Sequence, residues 1–121
     1  MKKIYLSPPH MSGKELDYIK KAFDDNWIAP IGPQLNMFEE KVKEYTGAKH
    51  AVAVSSGTAG IHLALKALNV SEGDYVICSS LTFIGTVNPI IYCGAEPIFV
   101  DSEETTWNLD PVLLETAILN S

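Results

Sequence analysis

Hydrophobic residues recur along this chain with two different spacings, which predict helices in some stretches and strands in others. Several segments have apolar residues three and four positions apart, the spacing of one helix face. Short apolar runs rich in β-branched residues lie between some of these segments and are typical of buried strands. Because strands and helical segments alternate, we expect an α/β fold with a largely parallel sheet flanked by helices.

Two helices are predicted in the first part of the chain. Ser12 and Glu15 have the spacing of a capping box, and the helix that they begin should end near Asp25. A second amphipathic helix is predicted from about Gln34 to a glycine stop at Gly47.

Two proline-containing stretches are expected to be non-helical. Residues 1–11 should form an extended arm. Residues 26–33 contain two prolines and a glycine but keep Trp27, Ile28 and Ile31, which is unusually apolar for an exposed loop. This loop therefore either packs on its own domain or contacts another molecule.

Residues 50–65 are expected to form a strand, a tight turn and a helix. Val52 and Val54 lie in a short apolar run, and apolar residues recur at helical spacing after Ser56-Gly57-Thr58. The first N–H groups of a helix have no internal partner and carry partial positive charge, so this turn can hold an anion such as a phosphate. A tight corner with Ser or Thr caps has the same composition, and the turn alone leaves both interpretations open.

The rest of the chain is predicted to contain two more strands and two more helical segments. The strands are residues 75–78 and 98–101, and the apolar segment 84–92 lies between them. Pro89 should sit in the first turn of that segment or mark a kink. Asp110 is expected to cap the last helix.

Polar and aromatic side chains follow two of the predicted strands. The turn at residues 56–58 follows one strand, and Thr82-Phe83 follows another. Ligands of parallel sheets bind at the carboxyl ends of the strands, so we expect both groups to face one crevice.

Composition and charge exclude several classes of function. The chain has 121 residues, enough for one domain, and a formal net charge of −6 with no arginine. Without a basic patch we expect no binding to nucleic acid or membranes, and we predict a soluble cytoplasmic protein. Cys78 and Cys93 are expected to be buried thiols, and no Cys or His pair has the spacing of a metal site.

Other chemically active residues have simpler explanations. His62 is expected to be a packed or surface helical histidine rather than a general base. The adjacent acids at 24–25, 39–40 and 103–104 are expected to be solvated. Trp107 is predicted to be a packing residue.

Three motifs together resemble the N-terminal part of the DegT/DnrJ/EryC1/StrS sugar aminotransferases. They are Ser55-Ser56-Gly57-Thr58-Ala59-Gly60-Ile61-His62-Leu63-Ala64-Leu65, Thr82-Phe83-Ile84-Gly85-Thr86-Val87-Asn88 and Gly94-Ala95-Glu96-Pro97-Ile98-Phe99-Val100-Asp101. The match covers essentially the whole chain. Two further stretches, Leu6-Ser7-Pro8-Pro9-His10-Met11 and Asn26-Trp27-Ile28-Ala29-Pro30, are most similar to members that make 4-amino-6-deoxy sugars on a UDP carrier, as in the bacillosamine pathway.

The resemblance implies a fold-type I enzyme that uses pyridoxal 5'-phosphate and works as a homodimer. Such an enzyme takes an amino group from glutamate and transfers it to a nucleotide-linked 4-keto-6-deoxy sugar. By resemblance, Gly57, Thr58 and Ala59 would bind the cofactor phosphate, and Phe83 would stack on its pyridine ring. Asn26, Trp27, Ile28 and Ala29 would line the nucleotide-sugar site.

The resemblance also implies what these residues lack. The family's Schiff-base lysine and the aspartate that pairs with the pyridine nitrogen lie beyond residue 121, so this segment contains no catalytic residue and should be inactive alone. Residues 1–121 would be an N-terminal arm and part of the large cofactor-binding domain. Two alternatives stay open: a non-catalytic ligand-sensing or regulatory protein on the aminotransferase scaffold, and a free-standing nucleotide-phosphate binder of only these residues.

Overall fold

The computed structural model describes residues 3–5 and 7–120, which form five helices and two strands. Leu6, part of one stretch that carries the resemblance, lies outside the described residues. The helices are α1 (Glu15–Asp24), α2 (Pro33–Thr46), α3 (Gly57–Ala67), α4 (Ile84–Tyr92) and α5 (Pro111–Asn120); strand β1 (Tyr75–Ser79) precedes α4 and strand β2 (Glu96–Val100) follows it. The chain divides into two compact units, one ending at Ala53 and the other beginning at Val54.

The first unit contains α1 and α2, both predicted from the sequence. The amide side chain of Gln34 donates to the carbonyl oxygen of Tyr18 at 2.6 Å and so connects the start of α2 to α1. Gly47 ends α2 in the left-handed conformation (φ 72°), which confirms the glycine stop.

The capping box before α1 is only half formed. A carboxylate oxygen of Glu15 accepts the Ser12 N–H at 2.7 Å. The Ser12 hydroxyl instead accepts the N–H of Lys14, and Lys14 itself occupies the N-cap position. The bonds from Ser12 lower the pKa of Glu15 to about 2.

The second unit is a β-α-β arrangement with a small core. Strands β1 and β2 pair in parallel, with Tyr75 opposite Glu96 and Ser79 opposite Val100, and α4 connects them. Buried side chains from β1, α4 and the turn after α4 form the core: Cys78, Val87, Ile90, Cys93 and Ala95. The α/β prediction with a parallel sheet is therefore confirmed.

The strand predicted at residues 50–54 is wrong. The structure assigns no strand there, and Val52 and Val54 are exposed. A strand requires a hydrogen-bonded neighbour, and within the described residues β1 and β2 pair only with each other. The apolar pattern of the segment is real, but the part of the chain that the structure describes places no strand beside it.

Several smaller predictions have clear outcomes. Pro89 lies in the second half of α4 and is fully buried, so its placement in a first turn is wrong. Asp110 accepts the N–H groups of Val112 at 2.7 Å and Leu113 at 3.1 Å, which confirms it as the cap of α5. Both cysteines are free and buried, and burial raises the pKa of the Cys78 thiol. Of the helices in the described ranges, none is long and apolar enough to cross a membrane.

Candidate functional site

The turn at residues 56–59, here called the anion turn, begins α3 in the second unit. Ser56 is extended at the N-cap, and its hydroxyl oxygen accepts the N–H of Ala59 at 3.1 Å. The first-turn N–H groups of Gly57 and Thr58 have no intrahelical acceptor because of their position. Ser56 therefore stabilises the turn, while Gly57 and Thr58 have donors suited to a bound anion.

Thr58 of the anion turn lies against the first turn of α4. A Cβ atom added to Gly85 would lie 2.6 Å from the hydroxyl oxygen of Thr58 and 3.0 Å from ring carbon Cδ1 of Phe83. Gly85 is buried, and its missing side chain is what lets the hydroxyl and the ring approach the same backbone position. The structure thus brings together Thr58 and Phe83, two residues that the sequence predicted for one crevice.

Phe83 presents its ring to solvent. It is the extended N-cap residue of α4 and is 79% exposed, although it is large and apolar. Its carbonyl oxygen accepts the N–H of Thr86 at 2.8 Å, and the Thr86 hydroxyl pairs with that of Thr82 at 3.0 Å. These bonds hold the residues on either side of Phe83 at the start of α4.

The carboxyl ends of β1 and β2 meet beside a cavity of about 620 Å³. The Ser80 hydroxyl donates to the carboxylate of Asp101 at 2.8 Å. The Ser102 N–H and this hydroxyl together hold the pKa of Asp101 below its ordinary value. Trp107 lines the same cavity, is 67% exposed and has φ 64°, so its prediction as a packing residue is wrong.

The first unit contains a second cavity of about 580 Å³, formed by α1, α2 and the loop between them. Residues 26–32 are here called the Trp27 loop. Trp27, Ile28 and Ala29 line the cavity. Asn26 is not among the lining residues; it has φ 52° and donates its N–H to the carbonyl oxygen of Phe23 at the end of α1.

Trp27 closes its own loop. Its indole N–H donates to the carbonyl oxygen of Ile31 at 2.6 Å, and its backbone N–H donates to that of Ala22 at 2.8 Å. The indole nitrogen is therefore satisfied within the protein. The cavity also has a cation, Lys21, whose ammonium pairs with Asp25 at 2.9 Å.

Sequence reasoning missed the structural roles of three residues: two glycines beside these sites and one glutamate in α2. Gly32 and Gly85 lie where an added Cβ would meet other side chains. Glu39 was expected to be solvated, but it is half-buried and accepts the N–H of Ala53 at 2.8 Å. The two glycines lie near predicted site residues, and this proximity was the one sequence feature that could have pointed to them. No sequence feature pointed to the role of Glu39, because a carboxylate on a polar helix face gives no sign of a distant backbone partner.

The described residues contain no cluster of His, Cys, Asp and Glu that could hold a metal ion. His62 is packed, as predicted: its ring meets that of Tyr92 edge-on, with centroids 5.6 Å apart.

Comparison with known proteins identifies the family. Residues 9–121 match the model of the DegT/DnrJ/EryC1/StrS aminotransferase family. The chain belongs to this family. It is 61% identical over 117 residues to EpsN of Bacillus subtilis (strain 168), provisionally named a pyridoxal phosphate-dependent aminotransferase, and 41% identical over 116 residues to the GDP-perosamine synthase of Caulobacter vibrioides (strain ATCC 19089 / CIP 103742 / CB 15).

These alignments cover 97% and 96% of this chain but 30% and 31% of the two relatives, so the chain spans about a third of their length. The solved structure of Spr1654 from Streptococcus pneumoniae, provisionally named a sugar aminotransferase and in its PLP-form, has a TM-score of 0.86 at 32% identity. The structural alignment covers 96% of this chain and 29% of the Spr1654 chain. The same protein is also known in a PMP-form. The α/β fold of this chain is therefore that of an aminotransferase of the DegT/DnrJ/EryC1/StrS family.

Proposed function

We propose that the full-length protein containing this chain is a pyridoxal phosphate-dependent aminotransferase. It transfers an amino group from glutamate to a nucleotide-linked 4-keto-6-deoxy sugar. The observation that carries the proposal is the convergence of Thr58 and Phe83 on Gly85, in a chain that belongs to an aminotransferase family. That convergence combines hydroxyl and backbone donors with an exposed aromatic ring, which suits a cofactor with a phosphate and a flat ring.

The anion turn is proposed to hold the cofactor phosphate. Residues 1–121 contain no arginine, so the donors that they offer to a phosphate are backbone amides, hydroxyls and lysines. Gly57 and Thr58 offer N–H groups, and Thr58 adds its hydroxyl. Ala59 completes the turn, but its N–H already donates to Ser56, so its contribution is the small side chain beside the phosphate.

Phe83 is proposed to support the face of the pyridine ring. When bound, pyridoxal 5'-phosphate supplies an electron sink and a carrier for the amino group. The ring of Phe83 is exposed and lies near Thr58 through their shared contact with Gly85. An aromatic face at this place restricts the tilt of the cofactor and excludes water from one side.

The Trp27 loop is proposed to line the site of the nucleotide-linked sugar. Trp27, Ile28 and Ala29 present apolar surface to the cavity of the first unit, and Asn26 fixes the start of the loop. The name of one relative, GDP-perosamine synthase, concerns a nucleotide-linked sugar, which supports this substrate class.

Three further features belong to the same proposal. Residues 1–121 are an N-terminal arm and part of the large cofactor-binding domain, the protein acts as a homodimer, and it is cytoplasmic. The homodimer is supported by large apolar side chains that are exposed on each unit, such as Phe23 and Leu119, because exposed apolar surface is typical of a contact with a partner.

The test uses the full-length protein reconstituted with pyridoxal 5'-phosphate. We expect a visible absorbance band that borohydride abolishes and that glutamate converts to the band of the amine form. Amino transfer to a nucleotide-linked 4-keto sugar should then regenerate the first band. Retention of the cofactor without any spectral change on adding glutamate would contradict the enzyme and favour a ligand-sensing protein on the same scaffold.

A further inference from the structure

The indole of Trp27 occupies the space that any residue other than glycine would need at position 32. A Cβ atom added to Gly32 would lie 1.8 Å from the indole nitrogen of Trp27 and 2.3 Å from its Cδ1. Both distances are far below van der Waals contact, and the atoms belong to a rigid bicyclic ring rather than to the end of a flexible chain. A side chain at this position and the observed indole position exclude each other.

The backbone of Gly32 leads independently to the same requirement. Gly32 is the N-cap of α2 with φ 154° and ψ −174°, a region that is essentially restricted to glycine. Pro33 follows as the first residue of α2, and the carbonyl oxygen of Gly32 accepts the first helical bond, from Asn36 at 3.0 Å. The start of α2 and the packing of Trp27 therefore both require glycine here.

We infer that Gly32 is a positioning residue that holds the indole of Trp27 in place and thereby sets the shape of the substrate cavity. The inference rests on the proposed function, because it takes the Trp27 loop as part of the substrate site. The indole nitrogen is satisfied by the carbonyl oxygen of Ile31 at 2.6 Å, so what Trp27 can offer a ligand is the apolar surface of its rings. The chemical class that fits such a surface is a flat, uncharged group such as a nucleobase.

The chain provides a matched control for this inference. Gly13 lies in the same unit with φ 92°, but an added Cβ atom would meet nothing within 4 Å. Gly13→Ala therefore introduces the backbone strain of a left-handed alanine without displacing a side chain. Gly32→Ala introduces strain at a backbone conformation that is essentially restricted to glycine and also displaces Trp27. Gly13→Ala therefore controls for a strained alanine in this unit, and the Trp27→Ala background isolates the effect of the indole.

The experiment uses the full-length protein labelled with ¹⁵N-tryptophan, in which Trp27→Phe assigns the indole resonance of Trp27. We expect Gly32→Ala to shift or broaden that resonance and Gly13→Ala to leave it unchanged. UDP and GDP are titrated separately as probes. For whichever nucleotide binds, Kd should rise about tenfold in Gly32→Ala and in Trp27→Ala, and less than twofold in Gly13→Ala.

A double substitution keeps the test decisive if Gly32→Ala also destabilises the fold. Because Gly32 acts through Trp27, Gly32→Ala should weaken nucleotide binding no further in the Trp27→Ala background than Gly13→Ala does. An unchanged Trp27 resonance in Gly32→Ala would overturn the inference whatever the nucleotide does. Weaker binding in Trp27→Ala but not in Gly32→Ala would overturn it while leaving the proposed substrate site intact. If Trp27→Ala binds the nucleotide as tightly as the unsubstituted protein, then Trp27 does not line the substrate site, and the inference about Gly32 is wrong as well.

Discussion

The carboxylate of Glu39, in the middle of α2, accepts the backbone N–H of Ala53 at 2.8 Å. The two residues are fourteen positions apart and both are half-buried. Ala53 belongs to the segment that lacks a strand partner. The carboxylate supplies the hydrogen-bond acceptor that a neighbouring strand would otherwise supply to this N–H group.

Glu39→Ala should destabilise the protein. The substitution leaves the half-buried N–H of Ala53 without its acceptor, which costs about 1–3 kcal/mol. Denaturant unfolding of the full-length protein measures the loss, and hydrogen exchange at Ala53 shows where it arises. Glu40→Ala is the matched control because Glu40 is exposed and pairs with Lys43 in its own helix. Equal stability of the Glu39 and Glu40 variants would show that the Ala53 bond contributes nothing.

Ser56→Ala should weaken the start of α3. The variant removes the acceptor of the Ala59 N–H, and loss of an N-cap of this type typically costs about 1 kcal/mol. The freed N–H of Ala59 becomes an additional donor within the anion turn. The free energy of cofactor binding should therefore fall by less than the free energy of unfolding does. Thermal unfolding and cofactor titration, with Ser55→Ala for comparison, separate the two effects. A variant that loses the cofactor but keeps full stability would contradict the assignment of Ser56 as a cap.

Phe83→Ala should loosen the cofactor without unfolding the protein. The ring is largely exposed, so its removal leaves little cavity in the core, whereas a stacking contact with the cofactor is worth about tenfold in affinity. Titration of the apoprotein with pyridoxal 5'-phosphate measures this change. Phe99→Ala, which removes an exposed phenyl ring from β2, serves as the control. Unchanged affinity in the Phe83 variant would remove this residue from the cofactor site.

The loop between β2 and α5 should lose its hydrogen bonds only in acid. Bonds from the Thr106 hydroxyl and the Thr105 N–H lower the pKa of Glu103 to about 2 from 4.5. A depressed pKa means that the stabilisation is complete above the unfolded value and is lost as the pH falls from about 4.5 towards 2. In the folded protein the amide resonances of Thr105 and Thr106 should titrate with a midpoint near 2, the pKa of Glu103, and should stop doing so in Glu103→Gln. A midpoint near 4.5 would show that the loop does not hold the carboxylate.

Sequence patterns predicted the helices, both paired strands and the anion turn because each depends on local spacing. Residues 50–54 show the limit of this reasoning. They form a short apolar run with two β-branched residues, but whether a strand forms depends on a neighbour that the run itself does not specify. The family resemblance then supplied roles, such as that of Phe83, that periodicity alone leaves as ordinary packing.

The side-chain packing around particular glycines could not be predicted from the chain. Gly85 looks like a weak helix residue until Thr58 and Phe83 are seen to occupy the space of its missing side chain. Gly32 looks like an ordinary loop glycine of the stretch 26–33, and only the structure shows the indole of Trp27 against it. In each case the physical reason for the glycine is a partner several residues away, whose direction the sequence does not encode locally.

The most direct test of the central claim is a crystal structure of the full-length protein with pyridoxal 5'-phosphate bound. The phosphate oxygens are predicted to lie about 3 Å from the N–H groups of Gly57 and Thr58, with the pyridine ring against the phenyl ring of Phe83. A cofactor bound elsewhere, with no contact to the anion turn, would contradict the account.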